Sequence, residues 1–137
     1  MMPAVRAPRA ARRPADRRAL GLAALLLGAG TVHLVAPAPF DAMVPRAMPG
    51  RPRSWTYASG VAELATGAAV AAPGTRTLGG LAAAGLFVAV FPANVAMARS
   101  WQRSPRVGRA MTAGAWARLP LQVPLVAWAL RVAREAG

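Results

Sequence analysis

The sequence predicts an all-α polytopic membrane protein, an up-down bundle of four transmembrane helices, and three observations predict it. Hydrophobic residues make up 55% of the 137 positions and charged residues only 15%, well under the quarter usual in soluble domains. The apolar residues are gathered into four long runs. The 17 arginines, against four acidic residues, lie almost entirely between those runs, the pattern that membrane insertion selects.

Residues 1–18 carry six arginines and three prolines with no apolar periodicity, and read as a disordered basic cytoplasmic tail. Residues 19–133 read as the four-helix transmembrane domain. Its first span, 19–36, is about 27 Å long as a helix, close to the ~30 Å hydrocarbon core, and His33 is its one ionisable residue. A basic stretch ahead of an apolar run also describes a signal peptide, with Ala36-Pro37-Ala38 as the best cleavage position. Pro39 just beyond it obstructs cleavage, so the helix is read as retained.

Residues 37–54 contain five prolines and a glycine, which bar a continuous helix. Phe40, Met43, Val44 and Met48 among them predict a partly buried re-entrant or interfacial loop. The second span, 55–73, stops at Pro73-Gly74. The third, 77–98, follows after so short a turn that the two form an antiparallel hairpin. Residues 99–114 make a polar loop with four arginines. The fourth span, 115–130, is followed by Arg131, Arg134 and Glu135. The arginines divide nine to seven between the two sides, with Arg118 inside a span. The dense cluster ahead of the first helix places both termini in the cytoplasm. Trp55, Tyr57, Trp101 and Trp116 then form an aromatic belt at the opposite face.

Ionisable residues inside spans are costly and point to function. Here they are His33, Glu63 and Arg118, joined by the amides Asn94 and Gln122. Counting residues from the span ends at 1.5 Å each, all five fall within roughly 4–12 Å of one membrane boundary. Thr56, Ser59, Gly60, Glu63, Thr66 and Gly67 share one helical stripe, which predicts that it faces other helices. Arg118 and Gln122 share a face of the fourth helix, and a Glu63–Arg118 ion pair is expected, because neither charge is tolerated alone at low dielectric. Phe87, Phe91 and the methionines are candidates for an apolar lining or for ordinary core. Pro92, Pro120 and Pro124 lie beside the polar residues and free backbone carbonyls there. Gly21 with Gly28, Gly60 with Gly67, and Gly80 with Ala84 suit close helix contacts. Three readings of the polar cluster stay open: a device that fixes helix register, a ligand or redox-partner site, and a proton-relay or transport path.

Several chemistries are excluded or disfavoured. With no cysteine the chain forms no disulfide, thiolate nucleophile or iron–sulfur site. One histidine is too few for a self-contained metal centre, so no metal is expected. The basic residues form no face interleaved with stacking aromatics, so no nucleic-acid partner is expected.

The chain resembles the DoxX-like family of small four-helix bacterial membrane proteins, in its uncharacterised branch. The likeness covers about residues 20–131. It rests on His33, Pro37, Phe40, Val44-Pro45 and Met48-Pro49; on Ser59-Gly60-Val61-Ala62-Glu63; on Val90-Phe91-Pro92-Ala93-Asn94 with Met97; and on Arg118-Leu119-Pro120-Leu121-Gln122 with Trp128. The resemblance implies a bacterial cytoplasmic-membrane bundle in an oxidoreductase setting, since some relatives are subunits of thiosulfate:quinone oxidoreductases. No catalytic set transfers with it.

The expectation is therefore an accessory membrane subunit binding a small amphipathic ligand, such as a quinone, in a polar intramembrane pocket formed by His33, Glu63, Asn94, Arg118 and Gln122. No cofactor is expected within the chain. Two alternatives are a membrane subunit of a quinone-linked oxidoreductase, whose redox protein partner holds the catalytic centre, and a small-solute transporter component. No autonomous catalytic motif is present, and the oligomeric state is left open.

Overall fold

Proline at the first helical position, where its missing N–H costs nothing, marks the start of two of the four long helices. Helix α1 runs Pro14–Val35 and α3 runs Pro52–Ala71. Between them lies a single helical turn, α2, at Ala38–Asp41. A 3-10 turn at Pro73–Thr75 leads into α4, Arg76–Arg103, and α5 follows at Arg109–Ala136. The computed structural model describes residues 13–137, and among these the chain is all-α, with no strand.

The expected tail ends earlier than residue 18. Residues 1–12 lie outside the described residues, but 14–18 are the first turns of α1. Asp16 in the first turn suits the positive end of the helix dipole, and it pairs with Arg76 at 2.9 Å. Arg18 pairs with Glu135, near the end of α5. Helices α4 and α5 also outrun the expected 77–98 and 115–130, to 28 residues each. Arginine is a good helix former, so the helices continue past the apolar residues into Arg99, Arg103, Arg131 and Arg134.

Two stretches are long and apolar enough by themselves to cross a membrane: Pro14–Val35, at a mean hydropathy of 1.6, and Pro73–Arg103, at 1.9. Helix α3 is diluted by Ser59, Glu63 and Thr66, and α5 by Arg118 and Gln122, so neither reaches that level.

Helix α1 packs along α3, α3 along α4 and α4 along α5, while α1 meets α5 less extensively. Glycines set the close approaches. A Cβ on Gly30 would lie 2.7 Å from the Gly60 carbonyl, and one on Gly67 2.9 Å from Leu27. A Cβ on Gly80 would lie 2.8 Å from the Ala133 amide. Gly28, by contrast, faces open space; it is Gly30 that makes the contact in α1. The Thr56-to-Gly67 stripe faces inward, with Thr56, Gly60 and Gly67 buried and Ser59, Glu63 and Thr66 partly so.

The main core lies toward the end that holds the start of α1 and the end of α5. Leu22, Leu26, Val70, Phe87, Ala129 and Val132 meet there. A smaller cluster of Met97, Ala98 and Ala115, packed on by Met43 and Trp101, closes the other end. The polar residues lie between the two.

Candidate functional site

A cavity of about 380 Å³ opens among α1, α3, α4 and α5 under the loop that carries α2. His33 enters it from α1, Glu63 from α3, Asn94 from α4 and Arg118 from α5. Gln122 is buried, yet it does not line the cavity. Of the expected apolar lining, Met43 and Met48 are present, together with Phe40. Phe87 belongs to the main core and Phe91 is exposed on the outside.

The expected Glu63–Arg118 ion pair is not formed. Glu63 Oε2 lies 2.9 Å from Nδ1 of His33, and Arg118 has no carboxylate within 4.0 Å. All four acidic residues of the chain are among the described ones, so this holds for the chain as a whole. The reason lies one turn away. Gly30 and Gly60 bring α1 and α3 into backbone contact, and His33 and Glu63 follow them by three residues each. The closest crossing thus delivers these two side chains to each other.

Nδ1 of His33 also lies 2.7 Å from the Ala29 carbonyl. A carbonyl only accepts, so Nδ1 carries a proton and is aimed at it. Glu63 Oε2 touches the same nitrogen without an aligned hydrogen bond and is otherwise unpartnered. In the neutral ring Nε2 is then an acceptor. The ring of Phe40 packs on the imidazole, with centroids 4.0 Å apart.

Two further buried polar atoms lack partners: Nδ2 of Asn94, a donor, and Oε1 of Gln122, an acceptor. A native interior leaves few such atoms, and each calls for an explanation. Asn94 is 9% exposed and lines the cavity, so a bound group can satisfy it where no protein atom does.

The loop over the cavity is tied down by residues that sequence reasoning passed over. Asp41 accepts hydrogen bonds from the Thr56 hydroxyl and from Nε of Arg53, both at 2.7 Å. The Thr56 hydroxyl above all, with help from the Arg53 guanidinium, holds the Asp41 carboxyl below its ordinary range against the opposing effect of burial. The Trp55 indole N–H donates to the Pro49 carbonyl at 2.7 Å. Asp41 sits in a proline-rich loop 15 residues from Thr56; the one sequence signal was Thr56, at the loop end of the polar stripe.

A second hollow, about 460 Å³, lies between the end of α4 and the start of α5, edged by Trp101, Arg109 and Trp116. It is more open and gathers a single charged group, so the chemistry belongs to the first cavity. Among the described residues no three histidine, aspartate or glutamate side chains converge as metal ligands would.

The fold and the cavity define a class: a small helical protein with membrane-crossing hydropathy in part of its length and a polar cavity toward one end. The chain belongs to the family described as a domain of unknown function (DUF8561), which matches residues 22–133. No curated protein and no solved structure matches it.

Proposed function

We propose that the chain is a multi-pass protein of the bacterial cytoplasmic membrane, similar to the DoxX-like family, that binds a small amphipathic ligand in the cavity beneath the α2 loop. All four long helices cross the bilayer, with both termini in the cytoplasm and the cavity in the opposite half.

The membrane part is supported by what the two most apolar stretches leave uncovered. In their apolar windows only 28% and 22% of residues are buried, so they are unlike the core helices of a soluble protein. Val35, Leu78 and Val123 are each more than 70% exposed, and apolar surface on that scale requires a partner, here lipid. Trp55, Tyr57 and Trp116 are exposed toward the cavity end, where an aromatic belt would sit.

The observation that carries the binding reading is Asn94: a buried amide whose donor has no protein partner and whose side chain lines a cavity with His33, Glu63 and Arg118. A cluster that only fixed helix register would pair its own members. The cavity lies at the lower end of the 300–1,000 Å³ typical of small-molecule sites, and like them has apolar walls and a few polar groups. A quinone, with oxygen acceptors on an apolar ring, is one ligand that fits this description.

Mass spectrometry of lipids co-purifying in mild detergent with the wild type and with Glu63→Gln tests it. A quinone or other amphiphile retained by the wild type and lost in the variant is expected. Identical lipid content, with the variant less stable to heat, would make the cluster structural.

A further inference from the structure

We infer that the ligand of this cavity is an anionic, single-tailed amphiphile, a medium-chain carboxylate, whose head group is held by Arg118 and Asn94. The inference rests on the cavity being a binding site and names the class of molecule it takes.

The charges in the cavity divide unequally. Glu63 Oε2 stands 2.9 Å from Nδ1 of His33, though without an aligned hydrogen bond. Arg118 lines the same cavity and contacts no carboxylate from anywhere in the chain. It is therefore the cavity's cation without a contact counter-ion. A guanidinium facing an apolar cavity is stabilised by an oxyanion in the fork of its N–H groups. A neutral carbonyl answers the hydrogen-bonding need alone and puts no negative charge in contact with the guanidinium.

Asn94 supplies the second observation. Its Nδ2 is buried and unpartnered, in a side chain 9% exposed. That donor and the Arg118 fork are both donor-only groups. A carboxylate has two oxygens and only accepts, so one head group can serve both. Beside the hydroxyls of Thr56 and Ser59, much of the remaining wall is apolar, including Phe40, Met43, Val44, Leu86 and Val90. Methionine and aliphatic side chains on the loop and on α4 suit a flexible tail. A volume of about 380 Å³ admits one short chain, whereas a diacyl phospholipid exceeds it.

The test is equilibrium binding of radiolabelled decanoate to the purified full chain in maltoside detergent, with unlabelled competitors. Decanoate is expected to bind saturably. Decanamide, of the same shape without the charge, is expected to compete at least tenfold more weakly. Phosphatidylglycerol, an anion with two tails, is expected not to compete. Arg118→Gln should remove the preference for decanoate over decanamide, Arg118→Lys should keep part of it, and Asn94→Leu should weaken both ligands. Arg118 is exposed in the folded chain, so its replacement should leave the thermal midpoint unchanged.

Equal competition by decanamide or by phosphatidylglycerol, or an Arg118→Gln variant that still prefers decanoate, overturns the inference. Labelled decylbenzoquinone separates the two levels. If it binds saturably where decanoate does not, the anionic assignment fails and the cavity remains a ligand site. If neither binds, both fail together.

Discussion

Two glycines in one helix, two residues apart, should respond to the same substitution with opposite signs. Gly28 faces open space and Gly30 faces the Gly60 carbonyl. At Gly28 an added methyl touches nothing, so Gly28→Ala carries only the helix-propensity gain of roughly 0.8–1 kcal/mol. At Gly30 the new Cβ would stand 2.7 Å from Gly60 O, 2.9 Å from Leu64 Cγ and 3.0 Å from the Leu64 amide. Two of those three atoms are backbone and cannot rotate away. Ordinary contact begins at 3.4 Å, so α1 and α3 must separate by about 0.7 Å, the difference from 2.7 Å. Overpacking of this kind costs typically 1–3 kcal/mol, which exceeds the propensity gain. The two variants should therefore differ by roughly 2 kcal/mol, Gly28→Ala at or above wild type and Gly30→Ala below it. The separation also carries His33 away from Glu63 one turn further on, lengthening the 2.9 Å contact and loosening ligand binding. Thermal unfolding in detergent, followed by circular dichroism, reads the first effect, and lipid retention reads the second. Equal midpoints for the two variants, or an unstable Gly28→Ala beside an unaffected Gly30→Ala, would refute the packing argument.

Three other outcomes follow from features of the structure. Arg76 donates to the Val70 and Ala71 carbonyls at 3.0 and 3.2 Å and pairs with Asp16 at 2.9 Å. Arg76→Met leaves those carbonyls unpaired and should cost about 1.5–3 kcal/mol in chemical unfolding; an unchanged midpoint would show that water replaces the guanidinium. The Asp41 clamp should be acid-labile. Its carboxyl is held below the ordinary value, first by Thr56 and then by Arg53, so its contribution is complete above the unfolded value of 3.8 and is lost as pH falls through the lower folded value. Hydrogen exchange of residues 38–48 should stay slow down to about pH 4 and quicken below it, and Asp41→Asn should exchange fast at every pH; a wild-type loop that loosens already at neutral pH would contradict this. Trp128 donates to the Arg18 carbonyl at 3.1 Å and packs on Gly21. Trp128→Phe should lower the thermal midpoint by removing about 1 kcal/mol of hydrogen bonding, without changing lipid retention, and altered retention would link the core end to the cavity.

Much of the helical plan could be read from residue order. Proline clusters and apolar run lengths located the breaks near 37–54, 73–75 and 99–114 because those signals are local. Helix ends were less legible, since hydropathy reports apolar side chains while Arg99, Arg103 and Arg131 continue a helix in a polar setting. Rise per residue put His33, Glu63, Asn94, Arg118 and Gln122 at one level, and the first four line one cavity. Depth carries no azimuth, however. Charge complementarity alone suggested Glu63 with Arg118, whereas the partner is decided by which helices touch most closely, and Gly30 against Gly60 decides for His33. Gln122 shares a face with Arg118 by spacing and is buried, yet it does not line the cavity. The Asp41–Thr56 bond was legible only at its Thr56 end, because an irregular loop offers no periodicity from which to infer where a side chain arrives.

The main core and the cavity occupy different levels of the same four helices, and this divides the labour of inheritance. Substitutions at Met43, Met48 or Val90 can reshape what the cavity admits while Leu22, Leu26, Val70 and Val132 keep the helices together. The α2 loop, held at its ends by Asp41 and the Trp55–Pro49 bond, is free to exchange the residues between. Relatives of this chain should accordingly diverge first in that loop and keep their glycine crossings, so that new ligand preferences arise on a scaffold whose folding has already been solved.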